Sequence, residues 1–109
     1  MGIFARMLGL DTEALPQKLP EDAILLDVRS PAEYEAGHLR DAILLPLNAI
    51  TMHIGRIVRD KGAPIVVYCQ SGARSASARQ MLMQMGYQKV FNGGGVRTLA
   101  EHMQREIVR

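Results

Sequence analysis

The chain has 109 residues, 48% apolar and 22% charged, with one cysteine and a net charge of +2; this excludes disordered and collagen-like chains, and one thiol cannot close an internal disulfide. A chain of this length buries roughly two-thirds of its unfolded surface, enough for one core without a metal or disulfide staple, so a single domain over residues 1–109 is expected. No apolar stretch approaches the ~18 residues of a membrane span, and Met1 to Asp11, broken by Arg6 and Gly9, lacks the build of a secretion signal, so a cytoplasmic protein with a reduced thiol is expected.

Residues 1–20 are the least readable part, because Pro16 and Pro20 interrupt any helix begun near Asp11-Thr12-Glu13. Ala23-Ile24-Leu25-Leu26 is a continuous apolar run, the pattern of a strand buried on both faces of a parallel sheet. Asp27 follows at its carboxyl end, where a side chain can face a site. Ser30-Pro31 with Glu33 opens a short helix, Ser as N-cap, Pro at the first position and Glu at the third, with Arg29 expected to pair with Glu33. His38 reads as a satisfied structural histidine.

Ile43-Leu44-Leu45 is a short strand, and Leu47, Ile50, Ile54, Ile57 and Val58 recur at helical spacing. Pro64-Ile65-Val66-Val67-Tyr68 is the second continuous run. Ala78, Met81, Leu82 and Met85 form a stripe ending at Gly86, a natural helix stop, with Met81, Met83 and Met85 as core and surface filler. Lys89-Val90-Phe91 reads as a strand, and Val96, Leu99, Ala100, Met103 and Ile107 as a last helix. Strand and helix alternate, which predicts an α/β fold with helices covering a mostly parallel sheet and ligands at the carboxyl ends of its strands.

Residues 1–41 carry four basic and eight acidic groups, residues 42–109 nine basic and three acidic. The second part is electropositive, yet its cations form no run and the chain has only three tyrosines and two phenylalanines, which suits a small anionic ligand rather than nucleic acid. No His or Cys spacing supports a metal, and no cofactor is expected.

The chemistry concentrates in Cys69-Gln70-Ser71-Gly72-Ala73-Arg74-Ser75, where a buried strand ends at a cysteine, a small-residue loop follows and a helix begins near Ser75. Such a loop can turn several backbone N–H groups toward one point, with Gly72 permitting the positive φ this needs. These donors and the helix dipole would stabilise a thiolate at Cys69, below the free value of about 8.5. Arg74 can hold an anionic substrate, and Ser71 and Ser75 can donate hydroxyls or cap the helix. A lone cysteine at a strand end is more often buried and inert; the Gly and Arg behind it favour a nucleophile.

The segment Leu26-Asp27-Val28-Arg29-Ser30-Pro31-Ala32-Glu33-Tyr34-Glu35-Ala36-Gly37-His38-Leu39, with the cysteine loop and Asn92-Gly93-Gly94-Gly95-Val96, resembles the rhodanese (thiosulfate sulfurtransferase) family over about residues 20–105. The resemblance implies a five-stranded parallel sheet flanked by helices, and Cys69 carrying sulfane sulfur as a persulfide. Asp27 and Arg29 would support the site. Two positions depart from the common pattern: Asp41 stands where a Gly often follows the Gly-His pair, and Leu99 where a Trp often follows the glycines.

The expected partners are a small anionic sulfur donor such as thiosulfate and an acceptor that is cyanide, a thiol or a protein. Two rivals stand beside this reading. One is a cysteine-dependent phosphatase or arsenate reductase, whose loops put five residues between Cys and Arg where this chain has four, Gln70 to Ala73. The other is a relay or binding module that exchanges sulfur with a protein partner.

Overall fold

The computed structural model describes residues 18–109; up to residue 17, the segment read as interrupted lies outside the described residues. The order is β1 (Ile24–Asp27), α1 (Pro31–Ala36), β2 (His38–Leu39), β3 (Ile43–Leu44), a 3-10 turn (Leu47–Ala49), α2 (Ile50–Ile57), β4 (Pro64–Cys69), α3 (Ala73–Gln84), β5 (Lys89–Gly95), α4 (Val96–Met103) and β6 (Ile107–Val108). All neighbours in the main sheet, ordered β3-β1-β4-β5, are parallel. Among the described residues this sheet has four strands, where the resemblance implied five; β2 pairs instead with β6 in a separate antiparallel pair.

Period-two alternation divides the core. Leu26, Ile65, Val67 and Cys69 face Ile50 and Ile54 of α2 and Ala78 and Leu82 of α3, while Leu25, Val66 and Tyr68 face Leu99 and Ala100 of α4. Ile65, Val66 and Val67 are completely buried, which explains why β4 reads as an unbroken apolar run. Each such side chain contributes about 1.5–3 kcal/mol relative to exposure. Met81 and Met85 pack against the first cluster, whereas Met83 is exposed. No helix among the described residues is long and apolar enough to cross a membrane.

The last helix is shorter than its stripe predicts. Gln104 adopts a left-handed conformation (φ 52) that ends α4 at Met103, and Ile107 begins β6 rather than continuing the helix. Leu99, one of the two departures, is a core residue: a Cβ on Gly93 would lie 2.7 Å from Leu99 Cδ2 and 2.9 Å from Val66 Cγ1. Asp41, the other, has a φ of 71, a left-handed backbone that glycine adopts at lower cost.

Candidate active site

Cys69 is the last residue of β4, and α3 begins four residues later. Gly72, at φ 103, is the left-handed N-cap, so the helix opens at Ala73, ahead of the expected start near Ser75. Neither Ser71 nor Ser75 caps it, since no side chain bonds the cap. The turn folds the loop back over the sulfur, and Gly72 N–H donates to Cys69 Sγ at 2.9 Å. A close approach holds the loop from the other side: a Cβ on Gly95 would lie 2.6 Å from the Gln70 carbonyl oxygen.

Cys69 is fully buried beneath Gln70, Ser71 and Ala73, which are exposed. Burial pushes its thiol up; the Ser75 hydroxyl and the backbone N–H groups of Ser75, Gly72 and Ser71 outweigh this and bring it below the ordinary value. An inert core cysteine would have apolar neighbours on all sides. This one accepts a bond from the Gly72 N–H and lies 3.6 Å from the Ser75 hydroxyl.

Ser75 Oγ lies 3.6 Å from the sulfur, but also 2.6 Å from Asn92 Oδ1 and 3.1 Å from the Gly72 carbonyl. The hydroxyl has one proton for these three acceptors. The contact to Asn92 Oδ1 is the shortest of the three, and an ionised sulfur is a stronger acceptor than a neutral thiol. Asn92 Oδ1 also accepts from Gly94 N–H at 2.9 Å, tying the β5 glycines to the cysteine loop. Sequence reasoning assigned Asn92 no role. Its signal was the Asn two residues before a left-handed glycine, the spacing of an Asx turn.

The expected Arg29–Glu33 pair is replaced by two others. Arg29, nearly buried, binds fully buried Asp27 through its backbone N–H, Nε and Nη2, with Nη2 to Oδ2 at 2.6 Å. Both oxygens of the Asp27 carboxylate are therefore occupied by Arg29. Arg29 Nη1 donates to Gln70 Oε1 at 3.1 Å and Nη2 to the Gly37 carbonyl at 2.7 Å, so the pair braces the loop. Glu33 instead pairs with Arg74, whose Nη1 and Nη2 reach its two oxygens at 2.7 and 2.9 Å. The Arg74 hydrogen bonds, joined by the Ser30 backbone N–H, bring the Glu33 carboxyl down to about 2.

The capping box that opens α1 forms as expected, with Ser30 and Glu33 bonding reciprocally. His38 stacks on Tyr34 with ring centroids 3.6 Å apart and Nδ1 2.8 Å from the Tyr34 carbonyl, a structural setting.

Comparison with known proteins matches residues 11–97 to the Rhodanese-like domain. A sulfurtransferase of Allochromatium vinosum is 43% identical over 96 residues, covering 85% of this chain and 88% of that protein. Thiosulfate sulfurtransferase PspE of Escherichia coli K12 is 39% identical over 94 residues, covering 84% and 90%. Among solved structures, a rhodanese with anions from E. coli superposes with a TM-score of 0.74 at 34% identity, covering 80% of this chain and 98% of that one.

Proposed function

Since the chain belongs to the rhodanese-like domain family, we propose that Cys69 takes the outer sulfur of thiosulfate or another persulfide donor and passes it to a thiophilic acceptor, residues 1–109 acting as one domain. The observation that carries this is the loop folded back onto Cys69, with Gly72 N–H donating to its Sγ at 2.9 Å and the Ser75 hydroxyl 3.6 Å away. Such donors favour thiolate over thiol and serve a persulfide anion equally well.

In the first half-reaction the Cys69 thiolate attacks the outer sulfur of thiosulfate, the sulfur–sulfur bond of the donor breaks, and sulfite leaves with the electron pair. In the second, the acceptor attacks the outer sulfur of the persulfide and Cys69 departs as thiolate. Gln70, Ser71, Gly72, Ala73 and Ser75 form the cradle, with Arg74 fixing its outer edge through Glu33 and Asp27–Arg29 fixing Gln70. A nucleophilic thiol must stay reduced, which fits a cytoplasmic setting.

The burial of Cys69 favours a second reading, a relay in which a docking protein opens the loop and exchanges sulfur directly. Steady-state sulfur transfer from thiosulfate and from a small-molecule persulfide, to cyanide and to thiols, tests both. Turnover with thiosulfate and cyanide supports the enzyme. Turnover confined to persulfides and thiols supports the relay, and hydrolysis of an aryl phosphate instead would overturn both.

A further inference from the structure

A cleft of about 400 Å3 opens beside the cysteine loop, with Gln70 on the loop side, Val96 and Ile107 as apolar wall, and Arg97 and Arg109 among its lining. The ionic pairs around it leave an imbalance. Arg29 is answered by Asp27 and Glu33 by Arg74, whereas Arg97 and Arg109, both exposed, make no hydrogen bond or ion pair to any described residue. The first turn of α4, from which Val96 and Arg97 project, has neither a side-chain cap nor an acidic residue. Its N–H groups add positive potential on the same side.

We propose that this cleft binds the carboxylates of an organic thiol that accepts sulfur from Cys69, with Arg97 and Arg109 as the residues that select it. The inference rests on the sulfur-transfer reading of Cys69. Two features separate the acceptor from a small inorganic donor. The cleft is of the size that holds small organic ligands, about 300–1,000 Å3, and its apolar wall suits a carbon skeleton. Arg74, the cation expected to take the anionic group, has both terminal nitrogens on Glu33. Among the described residues, the positive charge without an acidic partner lies instead along the cleft. Carboxylates held there would present the thiol toward Gln70 and the sulfur next to it in sequence. The acceptor thiolate then attacks the outer sulfur of the Cys69 persulfide; the bond between the two persulfide sulfurs breaks, Cys69 leaves as thiolate, and the acceptor departs as a persulfide.

The test begins with protein whose Cys69 persulfide has been verified by mass, so that failure to load counts against the sulfur-transfer reading and not against the cleft. Discharge is then followed with mercaptosuccinate, 3-mercaptopropionate and 2-mercaptoethanol, which carry two, one and no carboxylates, in wild type and in Arg97→Gln/Arg109→Gln. The KM for mercaptosuccinate, taken relative to that for 2-mercaptoethanol, is expected to rise about tenfold in the double variant, equal to about 1.4 kcal/mol. An unchanged ratio overturns the proposal. Independently of any chemistry, NMR titration with succinate should move the Gln70, Val96 and Arg97 amides in wild type and not in the variant. Equal shifts in both, or shifts elsewhere only, overturn it.

Discussion

Arg74 commits two guanidinium nitrogens to one carboxylate, that of Glu33, across 41 positions of sequence. The contact joins the first turn of α1 to the first turn of α3, and so fastens the cysteine loop to the segment after β1. Glu33 is held at about 2, below its unfolded value of about 4.3. A lowered carboxyl contributes stability in full above the unfolded value and loses it as pH falls toward the folded one. Because roughly a third of each side chain is exposed, solvent screening limits the contribution to about 1 kcal/mol or less. The urea midpoint of wild type should therefore fall between about pH 5 and pH 2 more steeply than that of Glu33→Gln, and parallel curves would contradict this.

Cys69 should be alkylated by iodoacetamide with half-maximal rate at a pH below the free-cysteine value of about 8.5. Ser75→Ala removes the hydroxyl that lies 3.6 Å from the sulfur and lowers its pKa, and should shift that midpoint upward while leaving the fold intact by circular dichroism. A midpoint unmoved by the substitution would assign the thiolate's stabilisation to the backbone N–H groups alone.

Gly95→Ala places a methyl 2.6 Å from the Gln70 carbonyl, a contact that backbone cannot relieve without moving the cysteine loop. Overpacking of this kind costs about 1–3 kcal/mol. Loss of sulfur transfer should exceed what the fall in stability explains, measured as turnover at a temperature where the variant remains folded.

Asp41→Gly relaxes an exposed residue at φ 71. Removing the left-handed strain should stabilise the chain by about 0.5–1 kcal/mol, partly offset by the greater freedom of glycine when unfolded. Chemical denaturation measures this directly. A variant less stable than wild type would contradict it.

Much of this architecture is legible in the sequence because its signals are local. The run Ile65-Val66-Val67 can satisfy its hydrophobicity only between two helical layers, and Gly72 marks the turn that folds the loop onto Cys69. Pairings across the fold were not legible. Arg29 lies within reach of both Asp27 and Glu33 in sequence, and only the burial of Asp27, with Arg74 arriving from the second half, decides between them. The strands β2 and β6 span two residues each, too short to carry a period, so Ile107 read as helix. Asn92 was hidden among glycines because its partners, Ser75 and Gly72, lie 17 and 20 positions away.

The central claim is that Cys69 carries the transferred sulfur, and intact mass spectrometry of protein incubated with thiosulfate tests it most directly. Wild type should gain one sulfur atom, Cys69→Ser should not, and cyanide should discharge the adduct with release of thiocyanate. A wild-type protein that stays unmodified by thiosulfate and by a small-molecule persulfide, or an adduct that survives in Cys69→Ser, would contradict it.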